Sequence, residues 1–202
     1  MKRILAILMA VMLVCVAAAN VFAAESPTSE TYQVGDATVT ELSDGTIIIT
    51  IGDKSYTFDD IANHWGKDAI ISAVANGLMI GYTDGKFHPE DGLTAAMVYT
   101  VLARIANADI VTTGDGWIES VVAWATTQGI ADDTDPKAEI TRQQMVNYMA
   151  KAAGIEGDEE AYAAWAKEAG IIIGFEDGED HLGDKLTRAQ FATILDRYVG
   201  HH

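Results

Sequence analysis

Gly81-Tyr82-Thr83-Asp84-Gly85-Lys86-Phe87-His88-Pro89-Glu90-Asp91-Gly92-Leu93-Thr94 recurs without a gap as Gly174-Phe175-Glu176-Asp177-Gly178-Glu179-Asp180-His181-Leu182-Gly183-Asp184-Lys185-Leu186-Thr187. Glycine, an aromatic ring, Asp-Gly, His, Asp and Leu-Thr all coincide at one constant offset. A third copy lies between them. The interval from Trp65 to Gly77 equals that from Trp117 to Gly129, so the middle copy keeps the spacing of the first over its opening helix. The interval from Gly129 to Thr141 is shorter than those from Gly77 to Thr94 and from Gly170 to Thr187, which are equal, so the middle copy has a shortened loop.

Each copy reads as helix, loop, helix. First helices are expected over residues 67–76, 118–128 and 159–169, each running into a glycine suited to a left-handed C-terminal cap. Second helices are expected over residues 95–106, 142–153 and 188–199, each behind a threonine. One such pair cannot cover its own apolar face, so three must share a core, and three can close on themselves. The expected fold is therefore mainly α: three helix-loop-helix repeats, residues 58–108, 109–155 and 156–202, in a pseudo-threefold arrangement.

A small β-meander is expected ahead of them. Val39 and Leu42, Thr46-Ile47-Ile48-Ile49-Thr50-Ile51 and Lys54 to Thr57 form three apolar or β-branched runs. Ser43-Asp44-Gly45 and Gly52-Asp53 separate them as turns. Three short strands are too few to stand alone, so the meander packs on the helices or pairs its edge with another chain. Residues 24–31 read as a flexible lead. Before them, Lys2-Arg3, an apolar run to Ala19 and the small residues up to Ala23 read as an export signal, residues 1–23. Cys15, the sole cysteine, lies inside it behind Val14, so neither a lipid anchor nor a disulfide is expected in the mature chain. The signal carries Lys2 and Arg3 and no acid, so its removal takes the formal charge from −17 to −19. Such a chain lacks the clustered cations that nucleic-acid phosphates require.

Phe58-Asp59-Asp60-Ile61-Ala62-Asn63-His64-Trp65, the Gly81-Tyr82 and Asp84-Gly85-Lys86-Phe87-His88-Pro89 loop, and Thr141-Arg142-Gln143-Gln144 and Thr187-Arg188-Ala189-Gln190 resemble the S-layer homology repeat. The resemblance covers about residues 58–199. It implies a three-pronged spindle of helices that holds a secreted protein on the cell wall or S-layer. The implied partner is an anionic secondary cell-wall polysaccharide, often carrying pyruvate-ketal sugars, bound in grooves between repeats. The chain departs from the family pattern at Thr94-Ala95-Ala96-Met97, which has no arginine, at the shortened middle loop, and at Asp158, where tryptophan is expected.

The residues have readings of their own. Thr141 with Gln144 and Thr187 with Gln190 are capping boxes. Arg142 and Arg188 oppose the helix dipole, at a cost of roughly 0.3–1 kcal/mol when exposed, and so call for a partner. Chemistry alone puts an intramolecular Asp or Glu first and a ligand carboxylate second; the resemblance reverses that order. Trp65 reads first as a core anchor and then as a face for a sugar. Tyr82 and Phe175, in glycine-flanked loops, read as partly exposed, and Trp124 and Trp165 as core. Asp60 reads as a cap for the nearby helix before a groove ligand, and Gly81 and Gly174 as turn formers before ligand contacts. The acidic runs 132–135 and 176–180 lack calcium-loop spacing and read as solvated loops. No catalytic motif, metal set or cofactor site is present. The expected function is attachment to wall polysaccharide through Arg142, Arg188, Asp60, Trp65, Gly81, Tyr82, Gly174 and Phe175. The rival is a surface protein whose degenerate repeats self-associate or bind another protein.

Overall fold

The computed structural model describes residues 29–175 and 177–200. The expected export signal lies outside them, and no described helix is long and apolar enough to cross a membrane. Four strands come first: β1 (Glu30–Val34), β2 (Ala37–Glu41), β3 (Ile47–Ile51) and β4 (Lys54–Phe58). Six helices follow: α1 (Lys67–Ala75), α2 (Ala95–Ile105), α3 (Trp117–Thr127), α4 (Arg142–Ala152), α5 (Glu159–Glu168) and α6 (Arg188–Gly200).

The strands form one antiparallel sheet in the order β1-β2-β3-β4, with Tyr32 opposite Val39, Val39 opposite Ile49, and Ile49 opposite Tyr56. This corrects the mainly α expectation: the described residues form a mixed fold, a four-stranded sheet ahead of six helices. β1 leaves little trace in the sequence, because only Tyr32 and Val34 are apolar in it and its inward face is two residues wide. It begins at Glu30, within the stretch read as a flexible lead, and a tight turn at Gly35, with φ +57°, joins it to β2. The sheet is not an appendage. Ala37, Val39, Ile47 and Ile49 are fully buried, and β1 and β3 pack on α1.

The helices pack α1 on α6, α2 on α3, and α4 on α5, with α2 also on α4. First helices end where glycine takes a left-handed turn, at Gly77, Gly129 and Gly170, with φ of 69°, 69° and 67°. Thr141 and Thr187 form both halves of their capping boxes, whereas Thr94 makes one 3.4 Å bond to the Met97 amide. The residues just before these caps meet at the centre. The Leu93 amide donates to the Leu186 carbonyl (2.8 Å), Ile140 to Leu93 (2.9 Å) and Leu186 to Ile140 (3.4 Å). All three side chains are buried, so a closed ring of backbone bonds lies inside the apolar core.

Candidate functional site

The ring places the start of each second helix on a loop from elsewhere in the chain. At α6, the Arg188 amide donates to Asp91 O (3.0 Å) and the Ala189 amide to Pro89 O (2.9 Å). At α4, Arg142 donates to Asp184 O (2.9 Å) and Gln143 to Leu182 O (2.8 Å). At α2, Ala96 donates to Pro136 O (2.9 Å). Otherwise orphaned first-turn donors are thus satisfied by loop carbonyls.

This docking carries the two arginine side chains inward. Arg188 is 5% exposed. Its Nε donates to Phe87 O (3.0 Å) and its Nη2 to Ile80 O (2.9 Å), and its guanidinium lies 4.4 Å from the Phe87 ring centre and 4.9 Å from that of Tyr82. Arg142, 6% exposed, repeats the arrangement less completely. Its Nη2 donates to Ile173 O (3.1 Å), its guanidinium lies 5.1 Å from the Phe175 ring, and its Nε is buried without a hydrogen-bond partner. Burial pulls both guanidinium pKa values below their ordinary range; nearby Tyr82, Asp91 and Asp60 act the other way on Arg188, while Arg197 adds to the lowering at Arg142. Among the described residues no arginine forms an ion pair. Carbonyl dipoles and ring faces make the direct contacts with these charges, and carboxylates act on them without an ion pair: Asp91 and Asp60 on Arg188, Asp180 on Arg142.

A cleft of about 320 Å³ opens beside Arg188, lined by Tyr82, Met97, Arg104, Thr112 and Trp117 among others. Arg104 brings a second guanidinium. Its Nη1 donates to Leu78 O (2.8 Å) and its Nη2 to Thr112 O (3.3 Å), and burial lowers its pKa too. The sequence gives no sign of Arg104 as a site residue, because a lone cation in the last turn of a helix is ordinary there, and it shows Trp117 only as a marker of repeat spacing. Two guanidiniums, a half-open tyrosine ring, an indole and threonine oxygens suit a small acidic group on an otherwise neutral, ring-shaped ligand.

Tyr82 and Phe175 are 41% and 45% exposed, each beside its own arginine, and Tyr82 lines the cleft. Trp65 is 63% exposed, which overturns its reading as a core anchor; its ring rests 5.1 Å from that of His64. Asp60 caps no helix. It accepts from the Phe87 and His88 amides (3.0 and 2.7 Å) and so ties the 81–88 loop to the segment after β4, while the N-cap of α1 is Gly66, with no side-chain cap. Gly81 is held by space. A Cβ there would meet Phe58 Cε1 at 2.2 Å and Lys86 O at 2.7 Å. Gly174 is freer, its nearest neighbour being Glu179 O at 3.6 Å. The middle loop has no comparable cleft chemistry: Ala95 brings no cation, and Asp132 is occupied by the Tyr148 hydroxyl (2.9 Å) and the Thr134 amide (2.9 Å). Trp124 and Trp165 are half-buried against the core.

Residues 57–94 match the family model of the S-layer homology domain. The chain is 30% identical over 105 residues to endo-1,4-beta-xylanase A of Thermoanaerobacterium saccharolyticum, covering 46% of this chain and 9% of that protein. It is 25% identical over 175 residues to exoglucanase XynX of Acetivibrio thermocellus, covering 70% of this chain and 16% of that protein. It is 32% identical over 72 residues to outer membrane protein SlpA of Thermus thermophilus, covering 33% of this chain and 8% of that protein. The chain thus spans 8–16% of these relatives' lengths, and one S-layer homology domain lies at its residues 57–94.

Proposed function

We propose that this chain is a non-catalytic module that holds a surface protein on the bacterial envelope by binding an anionic secondary wall polysaccharide, with the Arg188 cleft as a principal contact. The observation that carries this reading is a buried arginine with no carboxylate partner, opening with Arg104 into a cleft beside the exposed Tyr82, in a chain whose net charge is −17. Long-range repulsion of an acidic polymer is screened beyond about 8 Å at physiological salt, so the local field of the cleft decides. The relatives support a shared module: a xylanase, an exoglucanase and an outer membrane protein have no activity in common by name, and each shares only a small part of its length with this chain. Residues 109–155 and 156–202 are, on this reading, diverged copies of the unit matched at 57–94. Arg142, Phe175 and Gly174 then form a second, weaker contact, with Trp65 and Asp60 at the periphery.

Co-sedimentation with purified walls, native or stripped of acidic polymer, tests the reading. Arg188→Gln keeps hydrogen-bond donors and loses the charge. It is expected to weaken binding about 10- to 150-fold, the value of one charge-assisted contact, with a melting curve to confirm folding. Binding that ignores both polymer removal and the substitution would overturn the proposal. Self-association is the second reading, favoured by the outer edge of β1, which pairs with no other strand among the described residues. It predicts a particle size that grows with concentration in the absence of polymer.

A further inference from the structure

His88 sits in the left-handed region, with φ +54°. Its Nε2 lies 2.7 Å from Asp84 Oδ2, and its ring centre is 5.1 Å from that of Tyr82 at 84°. The guanidinium of Arg188 packs against the same Tyr82 ring. An order of imidazole, aromatic ring and guanidinium therefore leads from a solvent-facing loop into the cleft. It occurs twice. His181, with φ +51°, bonds Asp177 Oδ2 (2.7 Å), contacts the Phe175 ring at 4.5 Å, and Phe175 faces Arg142. A left-handed histidine is uncommon, and its recurrence with the same contacts sets it apart from an incidental loop feature.

The 81–88 loop is tight. The Tyr82 amide donates to Lys86 O (2.8 Å), Gly85 to Tyr82 O (3.2 Å), and the Lys86 amide to Asp84 Oδ1 (3.0 Å). Asp84 is thus bonded at once to the turn and to His88, so the imidazole closes the loop that presents Tyr82.

We propose that His88 is a positioning residue of the cleft: paired with Asp84, it holds Tyr82 against Arg188, so that the grip on an acidic sugar weakens as the imidazolium is lost. This rests on the wall-polysaccharide reading above. The groups facing His88 are Asp84 in its own loop, Asp60 from the segment after β4, Asp91 in the following turn, Tyr82 beside it and, across that ring, Arg188. The hydrogen bond to Asp84 is the largest cause raising its pKa; burial opposes it, and the fields of Asp84, Asp91 and Asp60 add to the rise. The sign follows: the charged pair is complete below the ordinary histidine range and is lost as pH rises through the raised value. His181 has a second carboxylate, Asp184 at 2.9 Å from Nδ1, so its loop is tied at one more point.

The test is binding of the full chain to walls that retain their acidic polymer, titrated from about pH 5.5 to about pH 8.5 at constant ionic strength, which spans the histidine range. The wild type is expected to lose about fivefold in affinity across it, as a charge-assisted bond reverts to a neutral one. His88→Gln should lose most of that dependence, the His181 copy at the weaker contact keeping the rest. Asp84→Asn should move the midpoint toward acid, an effect that loop support without titration would not produce, and it decides the matter if His88→Gln fails to fold. A wild type that binds but ignores pH, or a His88→Gln profile like the wild type's, would overturn this proposal alone. A wild type that binds at no pH would overturn the underlying reading as well.

Discussion

At the scale of single residues, identical letters carry different loads. Gly81 and Gly174 occupy the same place in the repeat, yet only Gly81 has Phe58 and the Lys86 carbonyl where a Cβ would go. Gly81→Ala is therefore expected to destabilise the chain by about 1–3 kcal/mol through overpacking, and Gly174→Ala by much less; paired urea melts measure the difference. Arg142 and Arg188 show the same divergence. The sequence showed that each needed a partner, because a cation in a first helical turn is unfavourable, but it offered only carboxylates or a ligand as candidates. The structure supplies backbone carbonyls and ring faces, which no side-chain pattern announces. Arg188 reaches Phe87 O through Nε, whereas the corresponding nitrogen of Arg142 has no partner.

At the scale of elements, what is local was legible. Each helix falls within one or two residues of its expected span, since left-handed glycines and threonine caps act over a single turn. Thr141→Ala is expected to cost about 1 kcal/mol, within a range of about 0.5–2, because it removes the hydroxyl that accepts the Gln144 amide at 3.2 Å. Thr94→Ala should cost less, its bond being longer and its N3 residue, Met97, unable to reach back. Chemical denaturation of the two variants side by side checks the order. β1 is not legible in the sequence because a short strand with two inward apolar positions has too little periodicity of its own. Its partner strand, across a two-residue turn, completes it.

At the scale of the whole molecule, the sheet is tied to α1 by an electrostatic bridge as well as by apolar packing. Glu41 accepts from the Tyr32 hydroxyl (2.8 Å) and from Lys67 Nζ (3.1 Å), and these bonds, the Tyr32 bond foremost, lower its pKa against the opposing effect of burial. A carboxylate lowered on folding contributes stability above its unfolded pKa, and that contribution is lost as pH falls through the folded value. The melting temperature should therefore fall as the solution is acidified through and below the ordinary glutamate range. Glu41→Gln should start lower at neutral pH and show a shallower acid slope, as followed by circular dichroism.

The sequence by itself determined the matching of residues 81–94 with 174–187, the helix ends, the turn between β2 and β3, and the positions of two arginines that had to find partners. All of these depend on residues close together along the chain. Only the tertiary structure decided that the sheet has a fourth strand and belongs to the core. It also decided that Trp65 faces solvent, that Asp60 ties a loop, and that Arg104 joins Arg188 at one cleft. Those outcomes depend on which segments meet across long stretches of intervening chain. The ring through Leu93, Ile140 and Leu186 that brings helix starts onto distant loops is made of backbone groups common to every sequence, so no pattern of side chains announces it.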